Sequence, residues 1–190
     1  AEFAARAAQG HVGRARYLAN SPEARSRRES ILKVALSITD IASAFKSAAL
    51  LVDGAKAESQ EESERRDDAE LKALKEAWGQ TGSRLAQGGS KAVKELEKEQ
   101  KSRSTRMVRD YLDSALLDIV TLFRDVLMVQ SGKNEGIINS DLTNEIAKVA
   151  ERTTSESTLR KIEAIMKARV NLAHNAAPLL TVEAMMVQLK

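Results

Sequence analysis

Apolar side chains recur at alternate spacings of four and three residues along much of this chain, and this spacing constrains its fold more than any other feature. Residues so spaced share one face of a helix, so each run predicts a helix with an apolar face. The first run consists of Ile31, Ala35, Ile38, Ala42, Phe45, Ala49 and Val52. Two prolines in 190 residues and 3% aromatic residues are typical of helix-rich chains. The sequence therefore predicts an all-α fold, a helical bundle.

The ends of the first long helix are marked by residues that favour such positions. Ser21 can cap the helix N-terminus, and Pro22 is tolerated at the first helical position because its missing N–H is not needed there. Glycine is common just after a helix, so Gly54 predicts the end. We therefore expect one continuous core helix between Ser21 and Gly54.

Residues 55–109 differ in composition from the segments on either side. Lys56–Glu70 holds seven acidic and three basic residues, whereas Arg84–Arg109 holds eight basic and three acidic ones. Glycines at 79, 82, 88 and 89 separate these two runs. Antiparallel arms of opposite charge would attract, so the segment predicts an inserted, long charged helical hairpin. Its expected apolar seam consists of Leu71, Leu74, Trp78, Val93 and Leu96.

The second arm of this hairpin is basic, and it is the candidate contact for DNA or for an acidic partner. The candidate residues are Lys98, Lys101, Arg103 and Arg106. Cationic side chains on a helix can bind phosphates, but a solvated helix surface is the ordinary alternative. No aromatic residues are interleaved among them to stack on bases.

Four further helices are expected after the hairpin, which makes five core helices in all. Tyr111–Val129 carries apolar residues on one face. The run Asn139–Asp141 should cap the next helix, and the run Thr153–Glu156 fits a capping box that opens the one after it. That helix is expected to bury Leu159, Ile162, Ile165, Met166 and Val170. Pro178 begins the last helix.

Residues for catalysis are sparse. The chain has no cysteine, and its two histidines, His11 and His174, lie far apart without metal-ligand spacing. No phosphate-binding loop is present, and Gly88–Lys91 is the nearest approach to one. We therefore expect a non-catalytic chain without cofactor or metal. The absence of cysteine, of a signal peptide and of a membrane span predicts a cytoplasmic location.

Three segments, taken in order, resemble the C-terminal region of bacterial clamp-loader subunits of DNA polymerase III. They are Gly10–Arg16, the helix around Phe123–Leu127, and the C-terminal stretch Arg169–Leu189 with its Asn175 and Pro178-Leu179-Leu180. Their order is most similar to the delta-prime subunit, and the charged insertion is similar to that of actinobacterial delta-prime proteins. The resemblance covers nearly the whole chain, with the hairpin as its least specific part.

The resemblance implies an ATP-driven pentamer that opens a ring-shaped sliding clamp and places it on primed DNA. Residues 1–20 would then end an AAA+ lid domain, and 21–190 would form the helical collar that holds the assembly together, with 55–109 as its hairpin. The implied partners are the gamma/tau and delta subunits through their collars, and the sliding clamp and primer-template DNA only indirectly, with no membrane. The collar of an ATP-hydrolysing gamma/tau-type subunit and an unrelated helical adaptor remain alternatives.

The candidate subunit interface lies on the last helices. Leu180, Met185 and Val187 are apolar positions expected to face outward, because a lone domain has no reason to expose them. Packing in the core explains these residues nearly as well.

One departure from the family concerns nucleotide sensing. ATP-binding relatives carry a sensor arginine at the fourth position of a Gly-x-x-Arg turn. Here Gly10 is followed at that position by Gly13, and Arg14 comes one place late. One residue rotates a helical side chain by about 100°, so we expect that Arg14 does not sense nucleotide. The resemblance thus implies a subunit that does not hydrolyse ATP.

Overall fold

The computed structural model describes residues 2–8, 10–78, 88–133 and 135–190. Within these ranges all regular structure is helical, and no strand is present. The prediction of an all-α fold is confirmed. The helices are α1 (Glu2–Ala7), α2 (Val12–Asn20), α3 (Pro22–Leu36), α4 (Ile41–Ala77), α5 (Gly89–Gln130), α6 (Thr143–Arg152), α7 (Ser155–Ala173) and α8 (Pro178–Gln188), with a 3-10 turn at Ser140–Leu142 before α6.

The chain divides into two compact units. Residues 1–51 and 113–190 form the first, which we name the core unit, and residues 52–112 form the second, the hairpin unit. Helices α4 and α5 are each divided between the two units, with one part in the core unit and the other in the hairpin unit. The assignment of residues 1–20 to a lid domain and of 21–190 to a collar stays a prediction.

The N-terminal helices α1 and α2 pack within the core unit. Their small apolar cluster is formed by Ala4, Ala7, Leu18 and Ala24, with Phe3 and Ile138 against it. The start of α3 is as predicted, because the Ser21 hydroxyl oxygen accepts a hydrogen bond of 3.0 Å from the Ala24 N–H, and Pro22 occupies the first turn.

The long helix expected between Ser21 and Gly54 is two helices. The first, α3, ends at Leu36, and α4 begins at Ile41. Between them Asp40 caps α4, with its carboxylate 2.7 Å from the Ser43 N–H, while the Ser43 hydroxyl oxygen accepts from the Thr39 N–H at 3.0 Å. Such short polar side chains offer the backbone local partners that compete with helical hydrogen bonds. The prediction of one continuous helix is therefore wrong.

The break also changes which face of α4 is buried. In the core unit, Ala44, Ala48 and Leu51 are buried, whereas Ile41 and Phe45 of the predicted stripe are 51% and 46% exposed. Gly54 lies inside α4 rather than after it. An internal glycine costs a helix only about 1 kcal/mol, which flanking turns can offset, so glycine alone did not end this one.

The centre of the core unit is formed by helices on both sides of the hairpin insertion. Its largest fully buried side chains are Leu32, Leu116, Ile119, Leu122, Val126, Ile146, Ile165, Leu172, Met185 and Met186. The C-terminal part of α5 supplies four of them, as its predicted apolar face requires. Burying each such side chain contributes roughly 1.5–3 kcal/mol.

The last two helices are joined by a short, closed turn. Asn175 adopts a φ of 64°, and the Ala176 N–H donates to the Asn171 carbonyl at 3.0 Å, which satisfies the end of α7. Pro178 then begins α8, as predicted. At the start of α7, Thr154 rather than Thr153 is the cap, with its hydroxyl oxygen 3.2 Å from the Ser157 N–H. The predicted capping box is therefore wrong, because the residue three positions after Thr154 is Ser157 rather than a glutamate.

Candidate assembly surface on the last two helices

The helix α7 has one buried face and one apolar face that is exposed. The buried face consists of Thr158, Lys161, Ala164, Ile165, Ala168 and Leu172. On the other side, Leu159, Met166 and Val170 are 50%, 41% and 54% exposed. At about 100° per residue, these three lie within about 40° of one another. Their predicted place in the core is therefore wrong, because the opposite face of the helix packs there.

The helix α8 shows the same division. Leu180 is 68% exposed and Val187 is half-buried, whereas Met185 is only 1% exposed. Leu180 and Val187 are seven positions apart, so their side chains point within about 20° of each other around the helix axis. Met185 is five positions after Leu180, so its side chain points about 140° away from that of Leu180. The prediction that Met185 faces outward is wrong, and it packs with Val182 and Met186 on the buried face.

Together these positions define a candidate assembly surface. It consists of Leu159, Met166, Val170, Leu179, Leu180 and Val187. The helices α7 and α8 pack against each other, so both apolar rows belong to one helical pair. Scattered exposed apolar residues are normal on a monomer, but rows at helical spacing on neighbouring helices mark a contact site for another protein.

A buried lysine holds the end of α8. The Lys161 ammonium donates hydrogen bonds to the Leu189 carbonyl at 2.5 Å and to the Lys190 carbonyl at 3.2 Å. It lies 5.8 Å from the centroid of the Phe123 ring. Burial lowers the pKa of Lys161. A cation at a helix C-terminus also meets the negative end of the helix dipole, so Lys161 fixes α8 relative to α7.

An ion pair fixes the other end of α7. The Arg169 guanidinium contacts the Asp113 carboxylate through two hydrogen bonds, of 2.7 and 3.0 Å. This bidentate geometry restricts orientation as well as distance. Both residues are partly exposed, so the pair orients α7 but adds little to the free energy of unfolding. With Lys161 at one end and Arg169 toward the other, α7 presents its apolar row from a fixed backbone.

A buried polar network lies elsewhere in the core unit. Arg28 is 3% exposed and donates to Asp118 at 2.7 Å and to the Asn139 side-chain oxygen at 2.6 Å. Asn139 donates in turn to Asp125 at 2.7 Å. Asp125 also accepts from the Ile138 and Asn139 N–H groups at 3.0 and 2.8 Å. The predicted side-chain cap at Asn139–Asp141 is therefore wrong. Asn139 precedes the 3-10 turn, but its side chain joins this network, and α6 begins after Leu142 without a side-chain cap.

Arg14 reaches the same network from α2. Its guanidinium lies 2.5 Å from the Asp118 carboxylate, which Arg28 also contacts. Burial raises the pKa of Asp118, while the charges of Arg28 and Arg14 lower it. The guanidinium groups of Arg14 and Arg28 both lie within 3 Å of this carboxylate and oppose the effect of burial. Arg14 is thus directed into the core unit.

The hairpin unit is held by polar contacts between antiparallel arms. Ser59 donates to the Ser104 carbonyl at 3.1 Å near the base. Further along, Arg103 donates to Asp67 at 2.7 Å and to Glu70 at 2.5 Å, and its hydrogen bond lowers the pKa of Glu70. The side chains of the predicted apolar seam are only partly buried. Leu71, Leu74, Val93 and Leu96 are half-buried, and Trp78 is 38% exposed.

The four predicted basic contacts separate into two groups. Lys98, Lys101 and Arg106 are exposed and remain candidates for contact with DNA or an acidic partner. Arg103 differs, because Asp67 and Glu70 of the first arm bind its guanidinium. A contact of Arg103 with DNA or an acidic partner stays a prediction, and it would compete with this pairing within the chain.

The described ranges offer neither a metal site nor a membrane span. Among those residues, no group of three or more histidine, aspartate or glutamate side chains is placed to hold a metal ion. No helix there is both long and apolar enough to cross a bilayer.

Sequence reasoning missed the buried polar network and the role of Lys161. A signal for the first was present, because Asp118, Thr121 and Asp125 recur at helical spacing within a largely apolar segment. The sequence held no such signal for Lys161, because the face of α7 that was predicted to be buried includes Leu159, Met166 and Val170, which are exposed. Polar residues on a core face need partners, and the sequence does not say which they are.

Comparison with known proteins bears on the C-terminal half. A family model described as "DNA polymerase III, delta subunit, C terminal" matches residues 91–189, which is more than half of the 190 residues. No curated protein and no solved structure matches the chain significantly. The matched range contains all of α5 beyond its first residues, α6, α7, α8 and the assembly surface. The chain therefore belongs to the family of C-terminal domains of the DNA polymerase III delta subunit, a part of the clamp loader.

Proposed function

We propose that this chain is the C-terminal collar of a delta-prime subunit, a non-catalytic assembly domain that supports loading of the sliding clamp onto primed DNA. The observation that carries the proposal is the assembly surface, two apolar rows on α7 and α8 within the matched range. A collar must expose apolar residues to bind neighbouring collars, and its own buried face must be complete without them.

The delta-prime assignment is supported by Arg14. An arginine that senses nucleotide must reach phosphates, but here Arg14 contacts Asp118 at 2.5 Å. To do so, Arg14 would have to leave a carboxylate that is 4% exposed, at a cost of about 1–2 kcal/mol, because Arg28 would remain paired with it. This geometry favours a subunit that does not hydrolyse ATP over a gamma/tau-type subunit.

The proposed partners are the collars of the gamma/tau and delta subunits in the cytoplasm. Through its collar contacts, the chain reaches the sliding clamp and primer-template DNA only indirectly, within the assembled loader. Each collar in a closed ring of different subunits meets two neighbours through different surfaces, so the assembly surface accounts for one of the two contacts.

The test is light scattering on a sizing column, with this chain alone and then mixed with the gamma/tau and delta subunits of the same organism. We expect a defined complex. The double variant Val170→Glu with Leu180→Glu should abolish it, because two charges would be desolvated in an apolar contact. Val12→Glu is the matched control: Val12 is 81% exposed and lies on α2, outside the assembly surface.

Two results would contradict the proposal. A complex that survives the double variant would exclude the assembly surface, and separate elution of folded wild-type chain and folded partners would exclude the collar. Native mass spectrometry separates a single-copy subunit from a gamma/tau-type subunit. One copy of this chain in each assembly is expected for delta-prime, whereas several copies would indicate a gamma/tau-type subunit.

A further inference from the structure

Four lysines form a row on one face of α5 in the hairpin unit. They are Lys91, Lys94, Lys98 and Lys101, and all four are exposed. Their spacings of three, four and three residues place them within an arc of about 80° on the helix, along a rise of about 15 Å. We name this row the lysine stripe. It contains two of the predicted basic contacts and adds Lys91 and Lys94 to them.

The lysine stripe faces away from the first arm. The side of α5 that meets that arm is marked by Gln100, which donates to the Asp67 carbonyl at 3.0 Å, and by Arg103 and Ser104. These positions lie roughly opposite the stripe at about 100° per residue. The cations of the second arm therefore have two roles, with Arg103 joining the arms and the lysines facing solvent.

Net charge alone would not reveal this surface. Residues 52–112 contain 13 basic and 13 acidic side chains, so the hairpin unit is neutral overall. Packed helices lie about 8–10 Å apart, and charges further apart than the Debye length of about 8 Å are largely screened at physiological salt. The exposed carboxylates of the first arm, such as Glu61, Glu64 and Asp68, lie on the other helix and therefore do not cancel the field of the lysine stripe.

Carboxylates near the stripe lie beside it rather than in it. Glu95 pairs with Lys91 at 3.9 Å, and both side chains are well exposed. Glu97 and Glu99 are also exposed and flank the stripe on its two sides. Lys94, Lys98 and Lys101 therefore carry most of the positive charge that the stripe presents to solvent.

We propose that the lysine stripe binds the phosphate backbone of duplex DNA. Lysine is a point charge suited to phosphates rather than to reading bases. A line of amines about 15 Å long can reach both backbones across a major groove about 12 Å wide. No aromatic residue occurs between Trp78 and Tyr111, so the arm offers no platform for the stacked bases of a single strand. The proposal goes beyond collar assembly and does not depend on it.

The experiment measures binding of the 190-residue chain to a fluorescently labelled duplex of about 20 base pairs and arbitrary sequence by anisotropy, between about 50 and 200 mM salt. Nonspecific contacts of this kind have Kd values of about 10⁻⁴ to 10⁻⁶ M, and four phosphate contacts give a slope of log K against log salt of about −3.6. The triple variant Lys94→Gln, Lys98→Gln, Lys101→Gln should reduce that slope to about −0.9.

The matched control removes three lysines from the first arm, as Lys56→Gln, Lys72→Gln, Lys75→Gln. It should keep the wild-type slope, because these residues lie outside the stripe. The reverse variant, Glu97→Gln with Glu99→Gln, should tighten binding. Circular dichroism is recorded on each protein, so that lost binding is compared only between variants with equal helix content.

Three outcomes would overturn the proposal. The first is duplex binding that is unchanged in the stripe variant. The second is an equal loss in the first-arm control, which would indicate nonspecific attraction by the whole chain. The third is binding of a polyglutamate peptide or of the single strand in clear preference to the duplex, which would assign the stripe to an acidic protein or to unpaired DNA.

Discussion

The core unit and the hairpin unit use charged residues in opposite ways. In the core unit, Arg28 and Asp118 are 3% and 4% exposed and form part of the packed interior. In the hairpin unit, Arg103 and Glu70 join two arms while their side chains remain about one-third exposed. Breaking a buried pair costs several kcal/mol, whereas an exposed pair opens for about 1 kcal/mol or less. Charged pairs therefore fix a single arrangement of side chains in the core unit, whereas in the hairpin unit they can open and re-form.

The strongest test of this comparison is Arg28→Ala. It would leave the buried Asp118 carboxylate without the more buried of its two cations and the Asn139 side-chain oxygen without its donor, so we expect a loss of about 3–5 kcal/mol in the free energy of unfolding. Urea unfolding followed by circular dichroism measures it. Arg160→Ala is the control, because its pair with Glu156 lies at the surface and should cost less than about 0.5 kcal/mol. Similar losses in the two variants would contradict the contrast drawn above.

A smaller effect is expected for Lys161→Met, which keeps the apolar stem and removes the ammonium. The Leu189 and Lys190 carbonyls would lose their donor, at a cost of about 1–3 kcal/mol. We also expect weaker binding to partner collars, since α8 carries Leu180. Lys167→Met, at an exposed position of the same helix, should change neither quantity. Unaltered melting temperature and partner binding in Lys161→Met would show that the end of α8 does not need this contact.

Arg14→Ala separates structure from catalysis. Arg28 would still pair with Asp118, so the expected loss of stability is only about 1–2 kcal/mol. In a reconstituted clamp loader that contains this subunit, the rate of ATP hydrolysis should be undiminished. The rate of ATP hydrolysis and the unfolding curve are both measured, which distinguishes a structural role of Arg14 from a role in nucleotide sensing. A collapse of ATP hydrolysis in a folded variant would mean that Arg14 does sense nucleotide.

The smallest effect is local and depends on pH. The hydrogen bond from Arg103 lowers the pKa of Glu70 below its ordinary value of 4.5. The contribution of this pair is thus complete above pH 4.5 and is lost as the pH falls below it, through the folded-state pKa. Hydrogen exchange should show residues 60–77 and 92–110 losing protection in acid before the buried segment 116–126 does.

The Arg103→Ala variant provides the control for this prediction. It should expose the two arms to exchange already at neutral pH, and further acidification should then add little. Simultaneous loss of protection in both units, with or without Arg103, would mean that they unfold as one and that the comparison fails.

Periodicity and composition were sufficient for the helical class and for the charged hairpin. Both depend on properties that repeat over many residues, so a local error does not remove them. The start of α3 was also predictable, because Ser21 and Pro22 act within one turn. In each case the deciding interaction lies close along the chain.

The errors arose where two physical effects competed or where the partner was distant in sequence. The run Ser37–Asp40 ended a helix whose apolar spacing continued through it. Asn139 had the chemistry of a cap, but Arg28, which is 111 positions away, bound its side chain. Leu159 and Met185 show that apolar spacing marks two faces of a helix without saying which one the fold covers. The pairing of Arg103 with Asp67 and Glu70 likewise depends on the register of the two arms, which the sequence does not reveal.

The closed turn at Asn175 has a consequence for how fast a partner can bind. Because α7 and α8 are already connected through a completed helix end, and Lys161 holds the last turn, docking needs no ordering of the chain. Association limited only by orientation proceeds at about 10⁵–10⁷ M⁻¹s⁻¹. Differences in affinity among relatives should then reside in how long the complex lasts rather than in how quickly it forms.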